Sequence, residues 1–330
     1  MAIGPYPEFS WSHSRDGTFQ RCERQYYFQY YGKWMGWQRN APARVQTTYL
    51  LTQLTGLSAW AGSAVHEAIA LFLHTGPHVD QWREQTRHRM RQQYRNSNNR
   101  IFKQPGRAKS FGLEEHYYDV PLSDDSVRGA WEKVDACLDA FLQSPWRQRI
   151  AEAQRAGRFV YIEPPTSDFN EMRINDHPLG PFPIYAQPDV VFEDEKGQLY
   201  LLDWKTGRPP TDRGADEIPP QLAFYLLWLQ TKGGTASHWP YDKVTLAEIY
   251  LPSLALYGAT PTEATWDAAH ERARDSITIM QNKLNDKSRN IAEEQSFSLT
   301  ENQNLCQHCV FRGVCPSEAA IQAFPDGVRP

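Results

Sequence analysis

Residues 199–207 read LYLLDWKTG, and the fold and the chemistry both turn on this stretch. An apolar run that ends in a carboxylate, an ammonium two positions later and a glycine describes a buried strand whose end carries charge. Side chains alternate across a strand, so Tyr200, Leu202 and Trp204 face one way while Leu201, Asp203 and Lys205 face the other. The preceding segment Ile184–Phe192 also reads as a strand and carries Asp189 just after Gln187–Pro188; Glu193–Gly197 (EDEKG) is a tight turn that makes the pair a hairpin. Adjacent strands lie about 4.8 Å apart, so Asp189 and Asp203 can converge on one hard cation. Such a pair suits phosphodiester hydrolysis. Magnesium or manganese needs carboxylate oxygens and open positions, and a lysine balances charge building on the phosphorus. Alone, D-x-K is a weak signal that also describes a surface ion pair at a strand end.

Around the hairpin the hydrophobic period alternates between helix and strand. Gly62–His74 (GSAVHEAIALFLH) reads as a helix with Val65, Ala68, Ile69 and Phe72 in one stripe and His66 at its edge. Trp131–Leu142 is a second helix, whose apolar face includes Cys137 as a buried small residue. Arg158–Glu163 reads as a strand, Glu217–Gln230 as helix, Lys243–Leu251 as strand and Thr265–Leu284 as a long amphipathic helix. Helices, a meander of strands, then helix, strand and helix imply an α/β layer architecture with a mixed sheet.

Composition narrows the class further. The chain has 330 residues, 40% hydrophobic, with 11 tryptophans, enough for a sizeable core. Its start lacks the apolar segment of a signal peptide, and its longest purely apolar run, Ala223–Leu229, is far too short to span a bilayer; a soluble, cytoplasmic protein is expected. Net charge is −4, yet positions 82–109 hold nine Arg or Lys and one Glu, a local charge of +8. Within that stretch Arg83, Arg87, Arg91 and Arg95 recur every four residues, so a helix would align them as a cationic stripe, expected to lead nucleic acid towards Asp203.

Gln221 and Tyr225 follow Gly207 as Q-x-x-x-Y, i and i+4 on one helix face. The order G-x-x-x-H, P-D, D-W-K-T-G, Q-x-x-x-Y resembles the RecB-like branch of the PD-(D/E)XK nuclease superfamily, a group that includes Cas4 proteins and the AddB nuclease domain. The resemblance runs from about Ser12 to Pro316 and is poorest between Gly76 and Asp125. It implies a restriction-endonuclease-like core, a mixed central sheet flanked by helices. It also implies Mg2+ or Mn2+ held by His66, Asp189, Asp203 and the Trp204 backbone carbonyl, with Lys205 as the catalytic lysine and Gln221 and Tyr225 contacting substrate phosphate and steadying the site. Glu163 ends the strand before the hairpin and is a further candidate for the site, outside this ligand set.

Three cysteines, Cys306, Cys309 and Cys315, crowd the C-terminal stretch CQHCVFRGVCP, and Cys22 is the other one not on an apolar helix stripe. In iron–sulfur members of the family one cysteine precedes the histidine motif and three cluster near the C-terminus. The match implies a [4Fe–4S] cluster; a structural zinc satisfies four thiolates equally well by spacing. Either way the site staples 12–40 to 297–318 within one nuclease domain spanning 1–330, with a sheet core over 158–251 and a basic insertion over 76–125. No G-x-x-x-x-G-K-[ST] motif occurs, so any unwinding falls to a separate helicase partner. The expected function is metal-dependent hydrolysis of DNA, at ends or on single strands, in repair, recombination or defence. The alternatives are a catalytically dormant subunit of a larger helicase–nuclease or CRISPR-type complex, and a zinc-stapled RNA-binding protein that leaves the carboxylates unexplained.

Overall fold

The computed structural model describes residues 6–164, 172–234, 237, 239–317 and 320. Positions 165–171, 235–236 and 238 of the expected sheet core, and position 318 of the expected staple, lie outside the described residues. The chain forms two compact units: Ser58–His88 with Ser123–Arg274, and Met1–Leu57 with Arg89–Leu122 and Asp275–Pro330. No described helix is long and apolar enough to cross a membrane.

The first unit is built on a five-stranded mixed sheet: β1 (Val160–Ile162), β2 (Val190–Glu193), β3 (Leu199–Lys205), β4 (Val244–Tyr250) and β5 (Ala255–Ala259), neighbours in that order. All pairs are antiparallel except β3–β4, which is parallel and therefore needs a crossover connection. The helices are α1 (Leu57–Thr75), α2 (Val79–Asn98, of which the part up to His88 is in this unit), α3 (Asp124–Gln143), α4 (Pro145–Arg155) and α5 (Pro220–Lys232), with α5 as that crossover. The β2–β3 hairpin closes as the sequence implies. Asp194 Oδ1 accepts from the Lys196 and Gln198 amides at 2.9 Å each, and Gly197 takes φ of 74°, left-handed backbone natural to glycine.

Strand β3 is central and buried from Leu201 to Trp204, as a strand covered on both faces must be. Helix α5 buries every residue from Leu222 to Leu229, which explains why its sequence is apolar all round. It starts at Pro220 rather than at Glu217, because a residue preceding proline is pushed out of the α region while proline itself suits a first turn. The expected single strand Ile184–Phe192 is two. Ile184–Tyr185 pairs with Arg173–Ile174, and Val190–Glu193 joins the main sheet. Pro188, with no N–H to give to a ladder, sits at the break.

The second unit holds both chain ends. Cys22 separates the helices His13–Arg21 and Glu23–Tyr27, and the Arg24 amide donates to Ser298 O at 3.0 Å. Arg24 and Arg44 both grip Glu294, at 3.0 and 2.7 Å. Trp11 Nε1 donates to Ser276 Oγ, which donates in turn to Asp16. Phe28, Leu51, Phe102, Tyr117, Phe311 and Val314 make its core.

Gly258 in β5 lies so close to β4 that a methyl group there would meet Leu246 O and Ala247 Cα. Its amide also holds Ala215 O at 2.8 Å. Gly258→Ala is expected to lower stability by about 1–3 kcal/mol in urea unfolding, as overpacking does. An unchanged midpoint would show that β5 shifts freely.

Candidate active site

The sheet register lines up four carboxylates on one face. Ile162 pairs with Val190 and Val190 with Leu202, so the next step brings Glu163, Asp189 and Asp203 level, and Asp203 pairs in turn with Glu248 on β4. The ladder does continue to Glu163, whose amide donates to Asp189 O at 2.9 Å. Asp189, Asp203 and Glu248 are all buried, so the row is held together against its own repulsion.

Helix α1 supplies a counterweight at one end. His66 Nδ1 lies 3.3 Å from both oxygens of Asp189 and 3.8 Å from Glu163 Oε1. One ligand atom from each of these three residues falls within 4.8 Å of the other two, a set that can close on a metal ion. The Trp204 amide donates to Asp189 Oδ2 at 2.5 Å and fixes that carboxylate, while Trp204 itself lines the cleft. Glu163, a further candidate in the sequence, thus joins the candidate ligands.

Asp203 is clamped from the other side. Tyr225 OH donates to Asp203 Oδ1 at 2.5 Å, and Gln221 Nε2 reaches the same oxygen at 3.5 Å and Tyr225 OH at 3.0 Å. Gln221 Oε1 accepts from Lys205 Nζ at 3.3 Å, so the i, i+4 pair on α5 binds both ends of the D-x-K motif. Asp203 Oδ2 is shut from solvent and faces Lys205 Nζ at 2.5 Å as an ion pair. The converging donors of His66, Glu163 and Asp189, with the Asp203 carboxylate beside them, fit a hard cation. All of these residues open on one cleft of about 460 Å³.

The sequence reading missed the support behind Lys205. Glu248 Oε1 stands 3.5 Å from Lys205 Nζ, and its Oε2 accepts from Tyr250 OH at 3.0 Å and from Arg213. A lone glutamate in an otherwise apolar strand was the signal available, since a buried carboxylate needs a partner.

Electrostatics follow from this packing. Burial and then Asp189 raise the Asp203 carboxyl, against the pull of Lys205 and Tyr225. Burial alone would lower Lys205, but Asp203 and Glu248 outweigh it and raise the ammonium above its usual range. His66 behaves likewise: burial is outweighed by Asp189 and Glu163, holding the imidazole well above 6.5. Burial, with Asp189 beside it, pushes Glu163 up to about 7.

Cys22, Cys306, Cys309 and Cys315 line one small cavity in the second unit, together with Phe28, Phe311 and Arg312. All four are free thiols. Burial pushes Cys309 up to about 12 and also raises Cys315, so neither is a thiolate at neutral pH without a positive partner. Four cysteines lining one cavity are a donor set that a metal or cluster would bind as thiolates. Cys137 is fully buried on α3, as expected.

The basic stripe is less bare than its own composition suggests. Arg83 pairs with Asp139, and Arg87 with Asp135 at 3.0 Å, both on α3. Partial neutralisation of these two members comes from a helix about 50 residues away in sequence.

A glutamate with its native carboxyl raised from 4.5 to about 7 binds its proton more tightly in the folded state, so the stability it contributes is present below about 4.5 and lost as pH rises to about 7. In metal-free protein Glu163→Gln is therefore expected to melt a few degrees above the parent at pH 8, with the gap closing towards pH 4.5. A gap independent of pH would contradict this carboxylate packing.

A search of curated proteins finds no match. The family model of the PD-(D/E)XK nuclease superfamily matches residues 10–316, which contain the whole carboxylate row and all four clustered cysteines. A mixed five-stranded sheet flanked by helices, with Asp189, Asp203 and Lys205 at its centre, accords with that fold. The chain belongs to the PD-(D/E)XK nuclease superfamily, whose members are typically metal-dependent nucleases.

Proposed function

We propose that this chain hydrolyses phosphodiester bonds of DNA with Mg2+ or Mn2+, acting at ends or on single strands in a cytoplasmic repair, recombination or defence process. The observation that carries the reading is the cleft where His66, Glu163 and Asp189 converge beside the Asp203–Lys205 pair. His66, Glu163, Asp189 and Asp203, with the Trp204 carbonyl, would hold the cation. The chemistry supplied by such a cation is polarisation of a phosphoryl oxygen and activation of water.

The chain's own groups do the positioning. The Trp204 amide fixes Asp189, and Tyr225 with Gln221 fixes Asp203. Lys205 is held charged by its two carboxylate neighbours, so its contribution is positive charge beside the reacting phosphate rather than proton abstraction. Arg83, Arg87, Arg91 and Arg95 would make the phosphate contacts expected of the stripe, with Arg83 and Arg87 also paired to aspartates.

We assign the four-cysteine cavity to a [4Fe–4S] cluster that staples the chain ends. The support for a shared site is that all four cysteines line one cavity; the choice of the cluster over a tetrahedral zinc rests on the spacing of the family's iron–sulfur members.

With end-labelled single- and double-stranded DNA and Mg2+ or Mn2+, cleavage is expected to vanish in Asp203→Ala and to fall about 10²- to 10³-fold in Lys205→Ala. Cleavage that survives a chelator, or is undiminished in Asp203→Ala, would refute the site. Binding without cleavage in the parent would favour a dormant subunit of a larger assembly.

Protein purified without oxygen is expected to be brown, with about four irons per chain. Cys22→Ser should bleach it and Cys137→Ser should not. Colourless protein with one stoichiometric zinc would overturn the cluster assignment and leave the nuclease reading standing.

A further inference from the structure

The stretch from Arg24 to Arg44 contains four basic residues, no acidic one, and seven aromatic rings. Arg24 and Arg44 are committed to Glu294; of the two charges that flank Trp34 and Trp37, Arg39 is exposed and Lys33 is half-buried, its ammonium 6.0 Å from the centre of the Tyr30 ring. Trp37 is 47% exposed, the one exposed tryptophan among the described residues. A single exposed apolar side chain needs no explanation by itself. This one is held in place by a built turn.

The Gly36 amide donates to Lys33 O at 2.9 Å and the Gln38 amide to Met35 O at 3.0 Å, so the backbone winds tightly between the two tryptophans. Met35 sits at φ of 65°, left-handed backbone that a long side chain rarely adopts and that persists when its surroundings enforce it. The surroundings do so at Gly36, where an added methyl would meet Val45 O and Tyr49 Cβ on the helix Ala43–Leu51. Trp34 meets Trp37 edge-on at 4.9 Å, and Tyr49 meets it at 5.7 Å. The exposed indole is therefore a rigid shelf supported from two sides, with a cation before it and another after it in sequence.

We propose that the Trp34–Trp37 turn is a base-stacking platform for single-stranded nucleic acid. An indole face stacks on any base, and flanking Lys and Arg meet the phosphates, so such a shelf holds a strand without reading its sequence. The choice of a polynucleotide rests on the nuclease reading above; the rigidity, exposure and charge of the turn do not.

The full chain, kept in chelator to prevent cleavage, is titrated against a fluorescein-labelled oligothymidylate and followed by anisotropy. Trp37→Ala is expected to weaken binding between about 5-fold and 150-fold, the loss of one stacked base, while Trp37→Phe keeps most of the affinity. Lys33→Gln and Arg39→Gln should each flatten the slope of log affinity against log salt by about 0.7. Parent-like affinity in Trp37→Ala, in protein that melts as the parent does, would overturn the platform. Dissociation of a dimer by Trp37→Ala in sedimentation would also overturn it, as a self-association surface. If the parent cleaves DNA with Mg2+ while Trp37→Ala binds unchanged, the platform fails and the nuclease reading stands. If the parent neither binds nor cleaves any polynucleotide, both fail.

Discussion

Repulsion among four carboxylates, set level across neighbouring strands, is the constraint that the rest of this site answers. Glu163, Asp189, Asp203 and Glu248 share one sheet face because register puts them there, and burial denies them water. Like charges so placed stay ionised together only when opposite charges are supplied. In the metal-free protein the fold supplies them at both ends, with His66 beside Asp189, Lys205 between Asp203 and Glu248, and Arg213 on Glu248. A divalent ion bound between Glu163, Asp189 and Asp203 would take over from the His66 charge and free its imidazole as a ligand. The strain is thus stored where the chemistry is needed, and the hydrophobic packing of β3 and α5 bears it.

What could be read from sequence was whatever depends on local period. The alternation in LYLLDWKTG placed Asp203 and Lys205 on one face, and the i, i+4 spacing placed Gln221 and Tyr225 together, where both reach Asp203. Glu163 was legible only as a candidate, because a residue at the end of a three-residue strand enters the site through register with β2, a tertiary fact. Glu248 was hidden in the same way by the parallel pairing of β3 and β4. The ion pairs of the basic stripe were not legible for a related reason: Asp135 and Asp139 meet Arg87 and Arg83 from a different helix. Local pattern locates charges, but the partners that set their worth come from the fold.

The second unit shows the same economy at the chain ends. Cys22 interrupts two N-terminal helices and lines the same cavity as three C-terminal cysteines, and Glu294 is gripped by Arg24 and Arg44 from the N-terminal side. That segment also carries the tryptophan turn. One short stretch therefore contributes a thiol and ion pairs inward and an aromatic, basic shelf outward.

The account stands on a divalent cation occupying the carboxylate row. Calorimetric titration of Mn2+ into the parent and into Asp189→Asn, each at neutral pH with any cluster intact, tests this most directly. Saturable binding in the parent that is lost in Asp189→Asn is the result the account predicts. Equal binding by both proteins, or none by the parent, would contradict it.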